Sequence, residues 1–368
     1  MNSPLLPHMH KKKKSIPIKT FVTSGGLGDV IMAVFGLHAF ILASPESLKK
    51  SSSLYVKGIL HPIASALLRE ISIKPAAGRP KRGATYNTFS NSSWLKTIKM
   101  LLTRSRWNNF PDRRNWFYGH PGFTFSGRIL RMANDWILDR RLSWRREPPI
   151  YYGLKMWGPL APAAGITDTD ILSAMHRSFP ILRQRAAEYI HAIPAEINSA
   201  KLAIFPLGKS FQYAPPAFIK KLVDSLDSAN IDYACYFAHG DEKDMKSYED
   251  IGLRCICVNS IDASLSIMAQ AKVTVTVDSF AGHLAQIAAQ NHVILISHDL
   301  PEHVVHPATP SLKIFEAMPC SPCLYRERAK DKVCAAGRTF CGAFSSDTYL
   351  NKATDAIHLF IQKREDFS

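Results

Sequence analysis

The stretch IPIKTFV (16–22), SGGLGDV (24–30), IMAVFGLHAFILA (31–43) decides the fold. Seven residues of buried-strand text run into a glycine-rich turn, and the apolar run from Val30 to Ala43 then reads as a helix. That is one βα unit at the start of the chain. Leu54 to Val56, the helix-like HPIASALLREI (61–71) and a short strand near Ile73 continue the alternation. A second series begins near Lys201. KLAIFPLG is a strand and turn, PPAFIKKLVDSLDSA a helix opened by prolines, and IDYACYFA the next strand. DEKDMKSYEDIG, RCICV, SIDASLSIMAQA, KVTVTV, FAGHLAQIAAQ and HVILIS then alternate helix and strand. Near-continuous apolar strands of this kind belong to parallel sheets buried on both faces. The fold class expected is therefore α/β, with two Rossmann-like domains facing each other across a cleft.

The 368 residues, 46% hydrophobic and 21% charged, exceed one ordinary core and are too apolar for a disordered chain. The boundaries expected are residues 1–192 for the first domain and 201–345 for the second, with a linker near Ala192 to Ala200. A last helix over 346–368 is expected to pack back toward the N-terminal domain. Between about 80 and 150 the alternation gives way to basic, aromatic text. From Trp94 to Glu147 there are twelve Lys or Arg against four acids, together with five of the six tryptophans. Solvated amphipathic helices would explain that segment, and so would a surface for an anionic amphipathic partner such as a phosphorylated glycolipid or a membrane interface.

The net charge of +16 attracts polyanions of any kind. None of the sequence signatures of the common nucleic-acid-binding modules is present, so nucleic acid is set aside as a partner. Seven cysteines are far too few for a disulfide scaffold, and Cys235, Cys255 and Cys257 sit in strand-like text, which fits reducing cytosol. Pro4, Pro7 and four consecutive lysines break up the N-terminus, leaving no signal-peptide core. Val30 to Ala43 is 14 residues, short of the roughly 20 that cross a bilayer.

The turn SGGLGDV is not the dinucleotide fingerprint G-x-G-x-x-G. Gly26 and Gly28 let backbone approach a ligand closely, and Asp29 reads either as a helix cap or as a reactive carboxylate. Further on, a strand ending at Val277 delivers Asp278, Ser279 and a helix whose first N–H groups suit a diphosphate. His283 lies one turn in, as a further donor or as a packed core histidine. Glu242, in HGDEKD, stands where a ribose-binding acid sits in this architecture, or is a solvated helix-start charge. Cys320, Cys323, Cys334 and Cys341 have C-x2-C-x10-C-x6-C spacing and form a candidate structural thiolate site.

The strand, glycine turn and Gly-Asp-Val, the segment VDSFAGHLAQIAA (277–289) and the tail PCSPCLYRERAKDKVCAAGRTFC (319–341) together resemble the heptosyltransferase-type enzymes of glycosyltransferase family 9. The resemblance spans most of the chain except the basic middle. It implies a GT-B fold and an inverting, metal-independent transfer without cofactor, from a nucleotide-sugar donor such as ADP-heptose to a lipopolysaccharide-type or other glycan acceptor. It also implies Asp29 as catalytic base, with Gly26, Gly28, Lys209, Glu242, Asp278, Ser279 and His283 binding substrate. The place of action implied is the cytoplasm, peripherally on the inner face of a bacterial inner membrane. The chain departs from the family pattern at Phe280, where glycine is usual, and at Gln212, where a basic residue usually precedes the proline. Lys209 is the replacement expected for that missing charge, and a catalytically silent relative is the alternative these departures leave.

Overall fold

The computed structural model describes residues 20–23, 26–46, 52–78, 85–87, 151–157, 166–193, 199–208, 213–226, 231–297, 299–319, 321 and 338–362. The basic middle, Lys209, Gln212, Cys320, Cys323 and Cys334 lie outside these residues.

The described strands fall into two parallel sheets. The first contains β1 (Thr20–Val22), β2 (Ser53–Val56), β3 (Ser72–Pro75) and β4 (Thr85–Asn87) in the order β3-β2-β1-β4. The second contains β5 (Leu202–Phe205), β6 (Tyr233–Ala238), β7 (Cys255–Val258), β8 (Val273–Val277), β9 (His292–Ile296) and β10 (Leu312–Phe315) in the order β10-β9-β8-β5-β6-β7. In the second sheet, chain order runs outward from β5 to β7 on one side, then restarts at β8 and runs outward on the other. The reversal lies between β5 and β8; in the first sheet it lies between β1 and β4. Such reversals open a crevice at the carboxyl ends of the strands, where ligands bind in open α/β sheets.

Both faces of the second sheet are buried. Leu202 and Ile204 of β5 enter one apolar cluster and Ala203 and Phe205 the other, as the period of two demands. Among the described residues, the helices of this half are α5 (Pro216–Leu226), α6 (Glu242–Glu249), α7 (Ile261–Gln270), α8 (Phe280–Ala288), the short α9 (Pro301–Val304) and α10 (Asp347–Gln362). The last of these was expected to return to the N-terminal half; it lies instead on the second sheet. The cause is its apolar stripe: Tyr349, Ala353, Ala356 and Ile357 are buried, and the Tyr349 ring packs against Phe218 and Phe344. The Tyr349 hydroxyl lies 3.1 Å from the Ile296 carbonyl and 3.2 Å from that of Ile314, tying α10 to β9 and β10.

In the N-terminal half, α1 (Leu27–Ala43) is buried continuously from Val30 to Ile41, so it has no solvent face. The other helices among the described residues of this half are α2 (His61–Leu67), α3 (Tyr152–Trp157) and α4 (Asp168–His191). Helices α1 and α3 meet through glycines. A Cβ on Gly153 would stand 2.5 Å from the Met32 carbonyl oxygen, and one on Gly36 would collide with the Gly153 carbonyl. Beside them the Trp157 indole donates to the Ala33 carbonyl at 2.7 Å.

Helix α4 starts at a reciprocal cap. The Thr167 hydroxyl accepts from Asp170 N at 3.2 Å, and the Asp170 carboxylate accepts from Thr167 N at 2.8 Å. It then binds both halves of the chain. Arg185 makes a two-pronged ion pair with Glu70 (2.6 and 3.0 Å), while Arg183 donates to the Ala289 carbonyl and the Tyr189 hydroxyl to Asp262. One apolar cluster runs accordingly from α1 and α4 into α7 and α8.

Candidate functional site

The turn after β1 leads into α1 at the reversal point of the first sheet. Asp29 sits in the first turn of α1, and its carboxylate accepts from Gly26 N at 2.6 Å. Burial pushes its carboxyl above the ordinary value; the Gly26 hydrogen bond and the Lys57 charge pull the other way without cancelling it. The carboxyl is therefore a stronger base than an ordinary aspartate.

At the reversal point of the second sheet, β8 is followed by Asp278 and Ser279, both buried, and Ser279 stands at the N-cap position of α8. The Ser279 hydroxyl makes no cap bond and has no hydrogen-bond partner among the described residues. Leaving such a group unpaired costs about 1–3 kcal/mol, so a nearby acceptor or anion would relieve it. Gly282, one turn in, is required by close packing, since a Cβ there would run into the Val277 carbonyl.

The orientation of His283 follows from a chain of hydrogen bonds. His306 N–H donates to Gln286 Oε1 at 2.8 Å, which turns the Gln286 amide nitrogen toward His283 Nδ1 at 3.4 Å. Nδ1 is then the acceptor, and the ring proton sits on Nε2. Burial holds the imidazole down to about 4, so near neutral pH it acts as an uncharged donor.

The two turns meet at Gly28. A Cβ built on Gly28 would stand 3.0 Å from His283 Cδ2, 3.4 Å from His283 Nε2 and 3.5 Å from Phe280 N. The first turn of α1 therefore lies directly against the N-terminus of α8, and Gly26, Gly28, Asp29, Ser279 and His283 belong to one locality. Phe280 does not stand alone over that N-terminus; its side chain is half-buried and packs on the shared apolar cluster.

Glu242 lies apart from this group. It starts α6 beyond the carboxyl end of β6, accepts from Gly240 N at 3.1 Å and pairs with His239 Nδ1 at 2.9 Å. The Gly240 and Glu242 backbone N–H groups and His239 lower its carboxyl. Of the tail cysteines only Cys341 is described; it is buried and donates to the Ser297 carbonyl at 3.1 Å.

A buried dyad was not anticipated from the sequence. His303 Nδ1 lies 2.6 Å from Asp299, Tyr152 of α3 stacks on the ring at 5.0 Å, and His303 Nε2 is buried with no partner among the described residues. The i,i+4 spacing in HDLPEHVVH was the available signal.

No protein-family model and no curated protein matches this sequence. The fold is similar to that of solved glycosyltransferase structures. The iron-containing dodecameric glycosyltransferase TibC from enterotoxigenic E. coli H10407 superposes with a TM-score of 0.53 at 10% identity, covering 95% of this chain and 78% of that one. The same protein in complex with ADP-D-beta-D-heptose gives 0.51 at 11% identity with the same coverage. E. coli ADP-heptose LPS heptosyltransferase II gives 0.47 at 10% identity, over 95% of this chain and 100% of that one. Among the described residues no helix is long and apolar enough to cross a membrane.

Proposed function

We propose that the chain is an inverting glycosyltransferase that moves a sugar, heptose being the leading choice, from a nucleoside diphosphate to a lipopolysaccharide-type or other glycan acceptor. The observation that carries this reading is the meeting at Gly28 of a carboxylate-bearing turn and a helix N-terminus with an unsatisfied buried hydroxyl. Residues 1–192 would hold the acceptor and 201–345 the donor, the two facing across a cleft.

The reaction needs a base on one side of the sugar and an anion cradle on the other. The acceptor hydroxyl oxygen attacks the anomeric carbon as the bond from that carbon to the diphosphate oxygen breaks, and Asp29 takes the hydroxyl proton. The raised Asp29 carboxyl makes it a better proton acceptor than an ordinary aspartate. The departing diphosphate would be received by the first N–H groups of α8, the Ser279 hydroxyl, the His283 Nε2 proton and Lys209. Asp278 would hold this turn in place, and Glu242 would accept from the ribose. Direct displacement inverts the anomeric centre and needs neither metal nor covalent enzyme intermediate. Action at the inner face of a bacterial inner membrane belongs to the same reading.

Calorimetric titration with ADP, UDP and GDP, followed by the matching sugar nucleotides, tests it. Saturable binding of a nucleoside diphosphate that weakens on Ser279→Ala is expected, together with transfer or slow hydrolysis of the corresponding sugar nucleotide. Absence of binding to all three overturns the donor site. Binding without any transfer or hydrolysis favours a catalytically silent relative.

A further inference from the structure

We infer that His239, Glu242 and Cys257 form a binding site for a divalent transition-metal ion of the zinc class. The site lies at the carboxyl ends of β6 and β7 and is separate from the tail cysteines. It shares Glu242 with the ribose contact of the transferase reading, so its test reads metal binding and not sugar transfer.

The three potential ligand atoms, one from each residue, all lie within 4.8 Å of one another. In a tetrahedral site with bonds of about 2.0–2.3 Å, ligand atoms stand roughly 3.3–3.8 Å apart, so closure requires shifts of only about an ångström or less. The donor set of one thiolate, one imidazole nitrogen and one carboxylate oxygen is what a borderline-soft ion such as Zn²⁺ prefers over Mg²⁺ or Ca²⁺, which take oxygen ligands.

The backbone presents two of the ligands rigidly. Phe237 pairs with Cys257 and Ala238 with Val258 in the parallel ladder, and His239 N donates to the Val258 carbonyl at 3.0 Å. His239 and Cys257 thus leave adjacent strands at the same end. Gly240, with φ of 97°, makes the turn that carries the chain back, and its N–H holds the Glu242 carboxylate. His239 Nδ1 and Glu242 Oε1 are already 2.9 Å apart. The side chains of His239 and Glu242 are 77% and 50% exposed, so the ion has an entry path and room for a water ligand. The Cys257 thiol lies 3.9 Å from the Asn259 amide oxygen, which would orient it or supply a fourth ligand. An ion held here would lock the loop 239–242 to the end of β7.

Titration of the reduced full-length protein with Co²⁺ alone, followed by thiolate-to-cobalt charge transfer and then by Zn²⁺ displacement, tests the site. Any thiolate signal from the tail cysteines is common to all variants, so the comparison is between wild type and the single variants His239→Gln, Glu242→Gln and Cys257→Ser. Each should remove the same one equivalent. Affinity at that equivalent should fall by at least the roughly 10- to 100-fold that outer-shell changes already cost. Zn²⁺ should raise the melting temperature of wild type more than that of His239→Gln, whose exposed position makes a folding defect an inadequate explanation. Identical stoichiometry and affinity in wild type and all three variants, or no Co²⁺ bound by wild type, overturns the inference.

Discussion

Replacing Asp29 by asparagine keeps the shape of the side chain and an oxygen that can still accept from Gly26 N, now 2.6 Å from the carboxylate. A hydrogen bond to a charged acceptor contributes about 1.5–3 kcal/mol and a neutral one about 0.5–1.5, so the cap loses on the order of 1 kcal/mol. Part of that is returned, because the asparagine no longer holds a charge in the desolvated position that raises the Asp29 carboxyl. The net change in stability should therefore stay under about 1 kcal/mol. Loss of a positioned base costs about 10²- to 10⁴-fold in rate, or roughly 2.7–5.4 kcal/mol of activation free energy at 1.36 kcal/mol per tenfold. The catalytic loss should thus exceed the structural loss several-fold. Melting temperature, nucleoside diphosphate affinity and transfer rate are to be measured on the same preparations. The pH dependence supplies a second readout. With a raised carboxyl pKa, wild-type rate should fall as pH drops through that value, and the asparagine variant should lack this limb. A variant that melts and binds normally and transfers within a few-fold of wild type would show that Asp29 only caps α1.

Three further outcomes follow from other parts of the structure. Gly28→Val places a branched side chain against His283 and Phe280 N, where even a single Cβ comes within 3.0 Å, and should cost about 1–3 kcal/mol in donor binding, read as a roughly 5- to 150-fold weaker dissociation constant for the nucleotide. For Glu70, burial alone would raise the carboxyl, but hydrogen bonds from His38 and Arg185 hold it well below the usual range. Its stabilisation is present above the ordinary carboxylate pKa and lost as pH falls toward the lowered folded value, so Glu70→Gln should lower stability by about 1–3 kcal/mol at neutral pH and flatten the acid side of a denaturation series. Residues 94 to 147 should bind anionic but not neutral vesicles at low salt, at on the order of 1 kcal/mol per engaged basic residue, and sedimentation that does not distinguish the two lipids would remove the membrane role.

The alternation of strand and helix was legible in the chain because each parallel strand, buried on both faces, must be continuously apolar. The segments read from 201 to 296 match β5 to β9 and α5 to α8. The glycine turn and the Asp278-Ser279 helix start were legible for a related reason: phosphate-sized approach to backbone demands small residues and free N–H groups, whatever packs around them. Helix α4 left no such mark on the sequence reading, although TDTD at 167–170 carries its cap, because its role is to touch both halves at once. Its Arg185 reaches Glu70 and its Arg183 reaches Ala289, contacts across more than a hundred residues that no local pattern encodes. The course of α10 was misjudged for the same reason, since an apolar stripe states that a partner exists but not which surface it is. The His283 tautomer, the upward shift at Asp29 and the meeting at Gly28 also belong to the tertiary structure alone. Each depends on which groups burial brings within a few ångströms, and strand and helix periodicities carry no information about that distance.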